Sequence, residues 1–156
     1  MNAQLVDVTS AYAVLSLFGP KARPILQAIT SDDISNDVLP FGASKTIDIA
    51  GCPVSALRVS YVGELGWELH LPTEYAAAVY DAIDHAGAIH ALRNAGFRAI
   101  ETLRLEKGFR AWSADIGPDH TPFEAGLGFA VKLDTNLAFK GRDALMAQAS
   151  DGVKNR

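Results

Sequence analysis

Three side chains able to hold or move charge lie close together in one stretch, Val59 to Leu71, which reads Val-Ser-Tyr-Val-Gly-Glu-Leu-Gly-Trp-Glu-Leu-His-Leu. They are Tyr61, Glu64 and Glu68. The stretch is expected to form two short strands around a tight turn, because Val59 and Tyr61 recur at period two, as do Trp67, Leu69 and Leu71. Gly63 and Gly66 bracket that turn, where a positive φ is cheap only for glycine. Side chains alternate across a strand, so Glu68 points away from the face that carries Trp67 and Leu69. A carboxylate opposite an aromatic layer is solvated, as most glutamates are, or paired, or available to a ligand that brings donors. Trp67, on the alternate face, reads as core.

Other clusters invite a metal reading and argue against it. Asp32, Asp33 and Asp37 fall in the polar run Ser31 to Leu39, but without the ordered ligand spacing of a calcium loop, so a loop or helix cap is expected. Asp115, Asp119 and His120 lie within a few residues of one another, and Gly117-Pro118 between them signals a turn. His85 and His90 sit at and just beyond a helix end, with no spaced second ligand. No metal site is expected. Cys52 has no visible base partner and reads as structural. As the single cysteine, it excludes an internal disulfide and a cysteine-based zinc site, and it fits a reducing compartment.

Composition narrows the classes further. A chain of 156 residues can bury one good core. Its 49% hydrophobic and 21% charged residues are ordinary for a globular domain. A net charge of −4 with a pI near 5.5 argues against a nucleic-acid footprint. No apolar run approaches a membrane span, and Met1-Asn-Ala-Gln-Leu lacks the basic-then-apolar order of a secretory signal. A cytoplasmic location is the expectation.

The elements that would position these residues follow from periodicity. Gln4 to Thr9 alternates as an edge strand, and Tyr12 to Phe18 as a second strand closed by Gly19-Pro20. A helix over 21–29 offers Ala22, Ile25, Leu26 and Ile29. Ser44 to Ala50 is a strand, turned by Gly51-Cys52-Pro53 into a return strand over Val54 to Tyr61. A helix over 73–86 carries Ala76, Val79, Tyr80 and Ile83 on one side. A short helix over Ile89 to Asn94 and another over Phe97 to Lys107 follow, the latter ended by Gly108. In that last helix Glu101 and Arg104 are spaced to pair. Phe109 to Pro122 is a loop holding Trp112, Gly126 to Leu133 a strand, and Phe139 onward a terminal helix. The division expected is a domain over 1–145 and a tail over 146–156, polar and frayed from Asp151. The fold class is α+β, an antiparallel sheet covered by helices.

Three motifs in order carry a resemblance: Arg58-Val-Ser-Tyr-Val-Gly-Glu-Leu-Gly-Trp-Glu-Leu, Leu103-Arg-Leu-Glu-Lys-Gly-Phe-Arg-Ala-Trp, and Thr121-Pro-Phe-Glu-Ala-Gly-Leu-Gly-Phe-Ala-Val-Lys-Leu. From about Val6 to Leu145 the chain resembles the glycine-cleavage T-protein family of folate-dependent aminomethyltransferases. It is most similar to the folate domain of sarcosine and dimethylglycine dehydrogenases. The resemblance implies a ferredoxin-like half of the T-protein folate-binding fold, with tetrahydrofolate as cofactor. Glu68 matches the pterin-binding glutamate, Tyr61 the tyrosine that lines the pocket, and Phe109 an aromatic beside the pterin. Glu64, Arg104 and Trp112 match supporting positions. For Glu64, turn support and ligand contact are equally open. For Arg104, surface pairing and bracing of the pocket both remain, with bracing favoured by the extent of the match.

Two departures qualify the match. Ile100 stands where the glycine-cleavage enzymes carry an arginine, which points to the dehydrogenase-like branch. The family's catalytic Asp lies before the segment matching Val6, so no catalytic residue is expected here. A flavin would belong to a further, upstream domain. The resemblance therefore implies the folate-binding part of an enzyme that passes a one-carbon unit from a small methylated amine to tetrahydrofolate. Such a part would be inactive alone and would dock onto other domains or another chain. A non-enzymatic folate-binding module of the Fe–S-assembly type and a demethylase of a sulfur substrate are the alternatives.

Overall fold

Period-two alternation along Gly66–Pro72 sets the centre of the sheet. In the computed structural model, which describes residues 3–152, this segment is strand β4 and is paired on both sides. Strands β1 (Tyr12–Phe18), β2 (Ser44–Ile49), β3 (Cys52–Leu57) and β4 form a four-stranded antiparallel sheet in the order β1-β4-β3-β2. The meander β2-β3-β4 is extended by β1, which reaches the far side of β4 through helix α1 (Ala22–Gln27). Helix α2 (Ala76–Gly87) follows β4 after a short 3₁₀ turn. Trp67, Leu69 and Leu71 of β4 are buried with Ile25, Leu26, Val79 and Ile83 of these helices. The α+β class and the helix-covered antiparallel sheet stand as expected.

The chain divides into two units, Met1–Lys107 and Gly108–Arg156. The first holds the sheet, α1, α2 and helix α3 (Phe97–Glu106). The second holds helix α4 (Arg142–Asp151) and extended turns. There Thr121 and Glu124 cap one another: Thr121 N donates to Glu124 Oε2 at 2.8 Å, and Glu124 N to Thr121 Oγ1 at 3.2 Å. Of the expected polar tail, residues 153–156 lie outside the described residues. No helix among the described residues is long and apolar enough to cross a membrane.

Several expected elements are replaced, each for a local reason. Gln4 to Thr9 is not a strand. Asp7 Oδ1 accepts from Thr9 N at 2.9 Å and from Thr9 Oγ1 at 2.6 Å, which turns the chain into a 3₁₀ turn at Thr9–Ala11. Val59 to Tyr61 leaves the ladder, because Arg58 closes against the entry to β2: Arg58 N donates to Ala43 O and Gly42 N to Arg58 O, both at 2.9 Å. Val59 N then donates back to Leu57 O at 3.0 Å, and residues 58–65 become a loop. Ile89 to Asn94 stops after a 3₁₀ turn at Ala88–His90, where Ala91 adopts φ 55° and Leu92 N caps Gly87 O at 3.1 Å. Gly126 to Leu133 alternates like a strand but folds into a 3₁₀ turn at Gly128–Ala130, with Ala130 N donating to Leu127 O at 3.0 Å.

The acidic run before β2 is structural. Asp32 Oδ2 accepts from Asp48 N at 3.0 Å, and Asp32 Oδ1 pairs with Lys45 Nζ at 3.1 Å. The Asp48 backbone bond first, and the Lys45 contacts after it, hold the Asp32 carboxyl below the usual carboxylate range. A depressed folded-state value stabilises the fold above the unfolded value, about 3.9, and that stability is lost as pH falls through the folded value. Asp32→Asn should therefore melt below the parent at pH 7. The gap should close on acidification below about pH 4, as read by thermal melting across pH; a gap that persisted unchanged at pH 2 would contradict this role.

Candidate functional site

The alternation of β4 divides its side chains between two environments. Trp67 is fully buried on the helix-covered face. Its ring lies under two guanidinium groups, Arg23 at 5.1 Å and Arg58 at 5.8 Å from the centroid. Both arginines also donate to Asn36 Oδ1 at 2.7 Å. Arg58, the first residue of the hairpin motif, thus braces the core. Trp67 is core, as its alternation predicts.

Glu68 emerges on the opposite, open face of the sheet, with its side chain 35% exposed. Ser16 of β1 stands directly across from it on one side and Leu57 of β3 on the other. Neither is charged, so the residues paired with Glu68 supply no cation to its carboxylate. The residue that does approach is His70, two positions on and on the same face, with Nε2 3.5 Å from Glu68 Oε2. His70 is a neighbour that motif matching passed over. Period two from Glu68 was the signal that could have found it.

The remaining candidates fall in three settings. Tyr61 is 41% exposed in the loop over 58–65 rather than in a strand. Glu64, in the same loop, pairs with Lys107 Nζ at 3.5 Å, just past the end of α3. Arg104 is 1% exposed and pairs with Glu101 one helical turn earlier. The pairing expected from spacing forms, but its cationic end is inside the unit and not on the surface. Phe109 and Trp112 belong to the second unit, where Phe109 is partly exposed and Trp112 is well exposed beside a backbone bridge to Ile116.

The first unit also contains a cleft of about 300 Å³ along the outer edge of β1, lined by Leu15, Phe18, Tyr80, Ile83, Ile100 and Leu103 among others. None of Tyr61, Glu64, Glu68 or Arg104 lines it. Ile100, the departure from the arginine-bearing pattern, contributes to its apolar wall. The wall of this cleft is mainly apolar but includes Asp84 and Arg93, whereas the open face at Glu68 presents a carboxylate beside His70.

The acidic and histidine cluster of the second unit closes on itself. Asp115 Oδ2 accepts from Ala111 N at 2.8 Å, and His120 Nδ1 accepts from Gly117 N at 3.2 Å. Among the described residues no group of three or more His, Cys, Asp or Glu is placed to hold a metal. Cys52 is buried at the start of β3, and that burial raises its thiol above the ordinary range, ahead of smaller contributions from Asp48 and Glu74.

A family model described as the GCVT N-terminal domain matches residues 2–135. Over 155 residues, 99% of this chain, the sequence is 48% identical to mitochondrial sarcosine dehydrogenase of Mus musculus, of which it covers 17%. It is 43% identical over the same length to mitochondrial dimethylglycine dehydrogenase of Homo sapiens, covering 18% of that protein. It is 39% identical to an aminomethyltransferase of Caldanaerobacter subterraneus subsp. tengcongensis, covering 41% of it. Among solved structures, heterotetrameric sarcosine oxidase from Corynebacterium sp. U-96 shares the fold at a TM-score of 0.51 and 20% identity, over 60% of this chain and 46% of that one. The chain thus spans under a fifth of the two dehydrogenases it matches.

Two glycines hold the geometry that presents Glu68, for different reasons. Gly63 adopts φ 70°, as the turn reading requires. Gly66 does not; it opens β4 opposite Phe18, and a Cβ there would stand 2.6 Å from Leu17 O. Its role is close approach of two backbones. Gly66→Ala should lower stability by about 1–3 kcal/mol through this overpacking. Denaturant unfolding checks it, and parent-like stability would show that β1 and β4 are not held this closely.

Proposed function

Because this chain belongs to the GCVT N-terminal domain family, we propose that it supplies the tetrahydrofolate-binding part of an aminomethyltransferase-type enzyme acting on a small methylated amine. The observation that carries the reading is the placement of Glu68: a half-buried carboxylate on the open face of the central strand, with no charged residue across from it on either neighbouring strand. The sarcosine and dimethylglycine dehydrogenases among its relatives favour an N-methylated amine as the source of the one-carbon unit.

The residues fit a pterin by their donor and acceptor chemistry. The amino-pyrimidinone edge presents two adjacent N–H donors, and a carboxylate is the acceptor that takes both in a charge-assisted pair. Glu68 retains that capacity, since its contact with His70 at 3.5 Å engages one oxygen. Tyr61, partly exposed in the adjoining loop, offers an aromatic ring. Glu64, held by Lys107, and Arg104, held by Glu101, brace the loop and α3 and leave direct ligand contact to Glu68 and Tyr61. Phe109 and Trp112, in the second unit, are aromatic candidates on the motif resemblance alone.

Tetrahydrofolate, when bound, supplies the amine that accepts the one-carbon unit. Glu68 would orient that acceptor by its far edge, and the ring of Tyr61 would help keep water from the iminium that an N-methylated amine yields on oxidation. Any flavin and any catalytic acid belong, in this reading, to further parts of a longer protein, and docking onto those parts completes the pocket.

The test is calorimetric titration of a tetrahydrofolate analogue into the full-length protein. Glu68→Gln replaces one acceptor oxygen with a donor and should cost roughly 2–4 kcal/mol of binding while leaving the melting temperature nearly unchanged. Glu64→Gln should cost less, because its partner is Lys107. If Glu68→Gln binds like the parent, or loses binding only by unfolding, the anchor role falls and Glu68 is a solvated surface residue.

A further inference from the structure

We propose that His70 is a positioning residue for Glu68: its Nε2–H holds one oxygen of the carboxylate so that the rest of the carboxylate is presented in a fixed plane to the ligand. The proposal rests on the pterin reading of Glu68 given above. Three observations on β4 carry it. His70 and Glu68 share the open face at period two, with Nε2 3.5 Å from Oε2. The ring as a whole is 39% exposed, yet Nε2 itself is closed to solvent and has no hydrogen-bond partner. The residues directly across from His70 are Val14 of β1 and Ser55 of β3, so neither neighbouring strand offers that nitrogen a charged group.

A polar ring atom shut away from water without a partner is costly, and most such atoms find one. The separation of 3.5 Å counts as an ion contact but falls short of a hydrogen bond. A small side-chain rotation that brings Glu68 Oε2 onto Nε2–H removes the cost. It also favours the tautomer with its proton on Nε2, since a carboxylate accepts and does not donate. The carboxylate so held still has acceptor sites free on both oxygens, enough for two ligand donors. Without His70 the terminal torsion of Glu68 is free on the open face, and its ordering must be met from the binding energy. At metal sites, hydrogen bonds from neighbouring groups orient carboxylate ligands in the same way.

The experiment is calorimetric titration of folic acid into the full-length protein and four variants, each checked by thermal melting. His70→Gln places an amide N–H near the position of Nε2 and should bind within about threefold of the parent. His70→Asn cannot reach Glu68 and should bind about tenfold more weakly, the scale of one hydrogen bond. Glu68→Gln and Glu68→Gln/His70→Asn complete a cycle. If His70 acts through Glu68, adding His70→Asn to Glu68→Gln costs nothing further. The proposal is overturned if His70→Asn binds like the parent, or if its loss is the same in the Glu68→Gln background. Should His70→Asn lower the melting temperature, His70→Ala takes its place in the cycle with the same expectations. A parent-like Glu68→Gln would instead overturn the anchor reading and this proposal with it. A clear Glu68→Gln defect beside a silent His70→Asn would overturn only the role of His70.

Discussion

A one-residue slip of β4 would exchange Trp67 for Glu68, and the fold could not survive it. The strand is paired on both sides, to β1 along its whole length and to β3 over Leu69 and its neighbours. Its odd residues Trp67, Leu69 and Leu71 are all fully buried. Because side chains alternate at period two, register and burial specify one another. Gly66 pins that register from one end, where the backbone of β1 comes too close for a side chain. The Arg23 and Arg58 guanidinium groups secure it from the core side, each over the ring of Trp67 and each bonded to Asn36. The placement of Glu68 and His70 on the open face follows from these constraints and needs no device of its own.

The parts of the fold that were legible in the amino-acid order are those where local pattern and burial agree. Tyr12–Phe18 is a strand at the boundaries its alternation predicts, and the helix over Ala76–Gly87 buries Val79 and Ile83 from the expected face. Alternation failed where no neighbouring strand was there to complete it. Leu127, Phe129, Val131 and Leu133 have the period of a strand, but Phe129 is largely exposed and the backbone satisfies itself within one 3₁₀ turn. At Gln4 to Thr9 a single aspartate side chain outweighed the pattern by capturing the Thr9 amide. Such contacts are local, yet they depend on side-chain oxygens that a hydrophobic count does not register.

The candidate site was legible in part. The orientation of Glu68 away from Trp67 follows from alternation alone, whereas the ligand-facing role proposed for it comes from motif resemblance. Family membership supports that resemblance. The loop setting of Tyr61 was not legible, because the bond between Arg58 and Ala43 that ends β3 joins residues far apart in sequence. Nor was the burial of Arg104, which shares a helix face spacing with exposed charges. Gly66 shows the same limit: a glycine in a turn-like string suggested a positive φ, while its actual constraint is a backbone on another strand.

On the proposed folate reading the first unit offers two places for a pterin, the open face at Glu68 and the mainly apolar cleft bounded by Ile100 and Leu103. They adjoin, Ser16 lining the cleft and standing across from Glu68, but centre on different residues, so a crystal structure of the full-length protein with folic acid bound decides between them. The account predicts the amino-pyrimidinone edge within hydrogen-bonding distance of both carboxylate oxygens of Glu68, with the ring of Tyr61 alongside. A pterin seated in the cleft along β1, with Glu68 left in solvent, would contradict it.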